Sequence, residues 1–226
     1  MTEGIVLVVA AHPDDEVIGC GGTIARFADE GREVHCLFMT DGESARPGTS
    51  ISSQHARRNA AETAADILGI RSSTFGQFPD NRMDGVDILD VVQFIENAIE
   101  QIQPELILTH HATDLNVDHR IVHQAVMTAC RPQPGHCVKT LLFFEVCSST
   151  EWQSPASTTL SFSPNWFQEI TQYLELRKGA LEAYMMEMRS WPHSRSLEAM
   201  EHLVRWRGAM VGVEAAEAFM LGRTCL

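Results

Sequence analysis

The stretch Val6-Leu-Val-Val-Ala-Ala-His12-Pro13-Asp14-Asp15-Glu16-Val17 decides how the rest of the chain is read. A short β-branched apolar run stops at a histidine and three carboxylates, and a helical pattern begins behind them. The run has the composition of a strand buried on both faces, so residues 4–10 are predicted as the first strand. Pro13 suits the first turn of a helix, and Asp14, Asp15 and Glu16 suit its positive end. Polar groups at the carboxyl end of such a strand stand where an open α/β sheet has its ligand crevice. His12 and Asp15 are three apart, share a face of a helical first turn, and could together hold a divalent metal. Asp14 then points elsewhere and is free to take a proton. Helix capping explains the carboxylates equally well, but it leaves His12, set between a core strand and a proline, without a reason.

The chain has 226 residues and a formal net charge of −13. That length fits a single domain over 1–226. The charge argues against general binding to nucleic acid or anionic membranes, both of which need basic surface. No run approaches the roughly 18 apolar residues of a membrane span. No basic segment followed by a long apolar one opens the chain, so a cytoplasmic protein is expected. The six cysteines are scattered without a CxxC and read as free thiols. Cys130, His136 and Cys137 lack the fourth ligand of a structural zinc site.

Onward from the first strand, a helix is predicted over 17–30, with Ile18, Ile24, Ala25 and Phe27 inward and Gly31 as its stop. Gly19-Cys-Gly-Gly22 is not GxGxxG and lies inside that helix, so it reads as close helix–sheet packing. A strand over 33–39 completes a βαβ unit, and Asp41 follows on the same rim as His12, a candidate substrate contact. After a loop rich in Ser, Gly and Pro, an amphipathic helix over 53–68 carries Arg57, Arg58 and Glu62. A strand over 73–77 leads to a rim loop with Asp80 and Arg82 as further substrate candidates. A helix over 87–102 and a strand over 105–109 then reach His110-His-Ala-Thr-Asp114-Leu-Asn116-Val-Asp118-His119-Arg120.

This second polar cluster also sits at the mouth of a strand. Catalytic zinc takes three protein ligands and keeps one position open, so the first site needs another donor. His119, opening a helix beside Asp118, is the best one; Asp118 itself is taken as a substrate contact, and His123 as a packing residue. A strand over 139–146, a long polar loop over 148–164, a helix over 163–188 and a final helix capped by Ser196 follow. His193 and Arg195 reach the first site only if their turn folds back over it.

Ala11-His12-Pro13-Asp14-Asp15-Glu16 resembles the first signature of the LmbE-like or PIG-L family of zinc-dependent N-deacetylases. Asn116-Val-Asp118-His119 is similar to the second signature, histidine–any–Asp-His, with asparagine where many members carry histidine. Arg207-Gly208 and Ala216-Glu-Ala-Phe219 resemble the family's ending. The resemblance implies an arginine and a glutamate in the second long helix, matched here to Arg58 and Glu62, and an acidic rim residue, matched to Asp80. It also implies removal of acetyl from N-acetylglucosamine-type groups. Asn116 can donate to an oxyanion but cannot deliver a proton. The acid role therefore falls to Asp14, His110, His111 or His193, and these stay open.

The expectation is a single Rossmann-like α/β domain with a mostly parallel sheet and helices on both faces. Zn2+, or Fe2+ in the same mixed N/O site, is held by His12, Asp15 and His119, with Asp14 as base. An amidase acting on a bulkier conjugate, a non-catalytic sugar-binding relative and a nucleotide-binding oxidoreductase are the rivals. Two carboxylates at the first turn would repel a dinucleotide's phosphates. Apolar helices near the end would permit a homo-oligomer.

Overall fold

Apolar runs separated by turns become five parallel strands in the computed structural model, which describes residues 4–154 and 161–225. They are β1 (Val6–Ala10), β2 (Val34–Thr40), β3 (Ser72–Phe78), β4 (Leu106–His110) and β5 (Thr140–Phe144). Helices α1 (Asp15–Asp29), α2 (Ile51–Leu68), α3 (Ile88–Ile102) and α4 (Val117–Ala129) alternate with them. The chain continues through β6 (Trp166–Glu169), α5 (Leu174–Ala183), α6 (Leu197–Val211) and β7 (Ala216–Arg223). All seven strands form one sheet in the order β3-β2-β1-β4-β5-β7-β6. Only β7 runs against its neighbours β5 and β6.

Successive strand residues point to opposite faces, and β1 shows what that does. Val6, Val8 and Ala10 pack with residues of α1, α2 and α5, whereas Leu7, Val9 and Ala11 pack with α3 and α4. Helices thus cover both faces, as the sequence predicts. Val9 pairs with Leu37 of β2 on one side and Thr109 of β4 on the other. The mouths of β1 and β4 therefore lie side by side where the strand order reverses, the usual crevice of an open α/β sheet.

The glycine cluster of α1 serves packing, in agreement with the sequence reading, and it also coincides with a break. A Cβ on Gly19 would overlap the Phe144 ring, and one on Gly22 would come within 2.7 Å of Ile170. Cys20 leaves the helical region at φ −153°, which frees backbone groups on both sides. Glu217 of β7 receives the N–H groups of Gly22 and Thr23 at 2.9 and 2.7 Å. Arg177 of α5 donates to Glu217 at 3.0 Å and to the Ile18 carbonyl at 3.1 Å. A buried ion pair thus bridges the broken helix. Removing one member of such a pair strands the other and costs about 3–5 kcal/mol. Glu217→Ala is expected to lower stability by that amount in denaturant titration, and a loss below about 1 kcal/mol would contradict this role.

One predicted element is wrong. The helix expected over 163–188 is instead β6, a 3-10 turn and the shorter α5. Trp166 packs on Phe219 of β7, ring centroids 5.4 Å apart, and β6 pairs along β7 from Trp166 to Glu169. Aromatic residues beside an available strand edge overrode a helical spacing that holds only from Leu174 onward. The 148–164 loop is described at both ends, and its residues 155–160 lie outside the described residues.

Candidate functional site

β1 ends at Ala10 and α1 begins at Asp15, so His12 stands on the turn between them and Asp15 opens the helix. Across the reversal point, Asn116 caps α4 by accepting the Asp118 N–H at 2.8 Å, which places His119 in that helix's first turn. Both turns face one another. His12 Nδ1 lies 3.1 Å from Asp15 Oδ2 and 3.3 Å from His119 Nε2, and His119 Nε2 lies 3.3 Å from Asp15 Oδ2. Tetrahedral zinc with bonds of about 2.0–2.2 Å sets its ligand atoms roughly 3.3–3.5 Å apart. The triangle fits a small divalent cation.

The surroundings agree. Asp15 Oδ1 is buried with no hydrogen-bond partner. Two imidazole nitrogens face each other over one carboxylate oxygen, an arrangement that calls for a shared positive charge. Burial alone would lower the His119 pKa, but Asp15 and Asp114 outweigh it and lift the imidazole to about 9. His119 Nδ1 lies 3.1 Å from Asp114 Oδ1, and His12 Nε2 lies 3.1 Å from Asp118 Oδ2 and 3.3 Å from Asp80 Oδ1. Carboxylates behind the outer ring nitrogens orient metal-binding histidines in this way.

His12, Asp80 and Asp118 form a second group with ligand spacing. Its carboxylates are already engaged. Asp118 accepts the N–H groups of Asn81 and Met83, and Asp80 accepts those of Ala45 and the Asn81 amide. Asp15 takes the His12 N–H on Oδ2, but its Oδ1 has no partner, and the group that holds this free oxygen is the better cation site.

Asp14 stands beside the triangle without joining it. Its Oδ2 accepts from Arg195 at 2.8 Å and lies 3.3 Å from an Arg57 nitrogen, which leaves Oδ1 for another proton. Burial raises the Asp14 pKa, the two arginines pull it back, and the net direction is upward. A small cavity of about 120 Å³ opens over these groups, lined also by Asn81, Asn116, Ser148 and Ser149. A larger groove of about 1440 Å³ lies at the amino ends of β4 and β5, by Arg32, His136 and Arg223. Among the described residues it holds no metal-ligand group, so size does not locate the site.

Several predicted positions are corrected. Arg58 is 57 % exposed and pairs with Glu62, whereas Arg57 is 2 % exposed and reaches Asp14. Arg57 lies on the same helical stripe as Ala61, Ala64 and Leu68, a signal that was legible: an arginine on the buried face. Asp41 is spent on the N–H groups of Glu43 and Ser44 and on Gln54, tying the following loop to α2. Arg82 is exposed and does not line the cavity. Asp118 is fully buried behind His12 and contacts that imidazole, out of reach of a substrate. Asp80 lines the cavity but is itself held behind His12.

The 191–196 turn does fold back, but it brings Arg195 rather than His193. The His193 ring accepts the Arg195 N–H at 2.9 Å and rests edge-on against Trp152, away from the cavity lining. His110 accepts the Ala11 N–H and stacks on His119, centroids 3.9 Å apart. His111 does not line the cavity either. His123 packs on Phe143, the packing residue expected.

Asp114 belongs to the second polar cluster without a role assigned to it, and Glu187 carried no sequence signal. Ser149, Thr150 and the Asn116 N–H all donate to Asp114. Against the burial that would raise it, His119 and the two hydroxyls hold its carboxyl well below the usual range. Glu187 receives Arg46 at 2.8 and 2.6 Å and lies 2.5 Å from Arg57. Burial opposes its ionisation, but Arg46 and Arg57 prevail and lower its carboxyl from 4.5 to about 2. A depressed carboxylate pKa stabilises the fold above the unfolded value and is lost as pH falls through the folded one. The stability gap between wild type and Glu187→Gln is therefore expected to be constant above pH ~5 and to close towards pH ~2. Thermal unfolding of both proteins across that range checks it, and a gap independent of pH would refute it.

Residues 7–130 match the family model for PIG-L, GlcNAc-PI de-N-acetylase. The chain is 31% identical over 185 residues to the uncharacterized deacetylase YaiS of Escherichia coli, covering 79% of this chain and 89% of that protein. It is 39% identical over 124 residues to the 4-oxalmesaconate hydratase of Pseudomonas putida, covering 50% of this chain and 46% of the other. The fold is shared with the N,N'-diacetylchitobiose deacetylase of Pyrococcus horikoshii at TM-score 0.77 and 20% identity, over 98% of this chain and 84% of that one.

Proposed function

The chain belongs to the PIG-L family, and from that premise we propose that it is a metal-dependent N-deacetylase that hydrolyses the acetamido group of an N-acetylglucosamine-type sugar or sugar conjugate. One observation carries the reading: His12, Asp15 and His119 converge within 3.3 Å of one another, with Asp14 alongside and uncommitted at one oxygen. A zinc or ferrous ion bound by these three would polarise the amide carbonyl and lower the pKa of a bound water towards about 7.

The remaining steps belong to the chain. Asp14 Oδ1 takes the proton of the attacking water, and Arg57 and Arg195 hold the other oxygen so that the free one stays aimed. Asn116 spends one amide hydrogen on Asn81 Oδ1 and its own oxygen on the helix cap, which leaves one N–H for the developing oxyanion. It has no proton to give away, and His193 is turned elsewhere. Asp14 therefore returns its proton to the departing amine, acting as base and then as acid. The mostly polar cavity walls suit sugar hydroxyls. Six free cysteines fit a reducing, cytoplasmic setting, and none of the described helices is long and apolar enough to cross a membrane.

The test is acetate release from N-acetylglucosamine, its oligomers and conjugates of increasing size. Turnover is expected, lost on chelation and restored by Zn2+ or Fe2+. Metal-loaded enzyme that frees no acetate from any of them would reject the reading. Asn116, unable to protonate an amine, and the hydratase relative favour a second one, addition of water to an unsaturated carboxylic acid. Loss of conjugated-alkene absorbance without acetate would select it.

A further inference from the structure

Asp14 is held in a backbone conformation that few non-glycine residues adopt. Its φ is 129° and its ψ −27°, and such a strained conformation persists only where the surroundings enforce it. The residue caps α1, receiving the N–H groups of Val17 and Ile18 on its carbonyl. Its own N–H points back to Glu16 Oε2 at 2.9 Å. The other oxygen of that carboxylate accepts the Tyr184 hydroxyl at 2.7 Å. Glu16 and Tyr184 are both fully buried, and neither lines the cavity.

We infer that Glu16, anchored by Tyr184, is a positioning pair that locks the strained backbone of Asp14 and thereby aims its carboxylate at the reacting water; this rests on the proposed hydrolysis. Arg57 and Arg195 fix the carboxylate, but neither touches the main chain of Asp14. Rotation about N–Cα to the ordinary negative region would swing Cβ, and the carboxylate with it, away from the cavity. The Glu16 bond opposes that rotation. Tyr184 reaches Glu16 from the end of α5, 168 residues away in sequence, so packing of the C-terminal part of the chain completes the aim of a base near its start. The arrangement also explains why an acidic residue at position 16 belongs to the chemistry although it never meets substrate.

Tyr184→Phe, Glu16→Leu and Glu16→Gln form the test series. Tyr184→Phe keeps the ring beneath Arg57, whose guanidinium carbon lies 5.7 Å from the ring centre, and removes only the hydroxyl. A base displaced by about 1 Å loses roughly 100-fold in rate. Per metal-loaded, folded enzyme, kcat is expected to fall about 10-fold in Tyr184→Phe and about 100-fold in Glu16→Leu, with KM unchanged. Glu16→Gln, which keeps an oxygen for the Asp14 N–H, should recover most of what leucine loses. In an Asp14→Asn background Tyr184→Phe should have no further effect, because the pair acts through Asp14. Losses that track unfolding or metal content, or that persist in that background, overturn the inference.

Crystal structures of the same variants test the geometry without any substrate. The Asp14 φ is expected to relax to a negative value, with loss of the contact to Arg195. A φ that stays near 129° in Glu16→Leu overturns the inference even if the wild type proves inactive on every N-acetyl sugar.

Discussion

Asp14→Asn is expected to bind metal as the wild type does and to lose about 10²–10⁴-fold in kcat, the range that a positioned general base contributes. The substitution is nearly isosteric, and the amide oxygen can still receive Arg195. What disappears is the capacity of Oδ1 to take a proton. No atom of Asp14 belongs to the His12–Asp15–His119 triangle, so metal stoichiometry should be untouched. The combination separates a base from a ligand. A variant that keeps turnover within about tenfold would remove Asp14 from the proton path, and one that loses its metal would move it into the coordination sphere. Because Asp14 also returns the proton to the departing amine, the same variant should fail most on poor amine leaving groups and recover in part on activated amides. A loss that is the same for good and poor leaving groups would show that the acid lies elsewhere.

His119→Ala is expected to lose both metal and turnover. It deletes one of three ligands and leaves Asp114, held well below the usual carboxylate range by that imidazole, facing an empty space. Removing a residue behind a ligand typically costs 10–100-fold in metal affinity, so Asp114→Asn should fall in that range and removal of the ligand itself should exceed it. Metal analysis after dialysis, with competition against a chromogenic chelator, reads both values. Should His119→Ala retain one ion per chain at wild-type affinity, the cation must sit between His12, Asp80 and Asp118 instead. Asp118→Asn would then lose more metal affinity than His119→Ala, the reverse of the order expected for the His12–Asp15–His119 triangle.

The rim residues differ in how visible they were in the sequence, and the differences have physical causes. His12, Asp15 and Asp14 could be read because strand, turn and helix start are all local: an apolar run, a proline and an acidic first turn fall within 12 residues. His119 could be read because a second strand of the same kind ends in a capped helix. Arg57 lies one position before the arginine that the family spacing points to, and the helical stripe of Ala61, Ala64 and Leu68 marks it as the buried one. Asp41 and Arg82 look like site residues because every strand mouth collects polar groups, and only hydrogen-bond partners separate a loop tie from a substrate contact.

By itself, the sequence determined the parallel α/β layers, the rim on which His12, Asp14, Asp15 and His119 gather, and the proposal that three of them hold a metal beside a base. Periodicity and turn chemistry act over a few residues and need no knowledge of the rest of the chain. Tertiary structure alone decided that β6 would be a strand, that Arg195 rather than His193 would reach Asp14, that Asp114 would stand behind His119, that Glu187 would hold Arg57, and that Tyr184 would meet Glu16. These are mostly contacts between segments far apart in the chain, formed only when the C-terminal third packs over the mouths of β1 and β4, and no local pattern encodes which side chain such packing will bring to a given carboxylate.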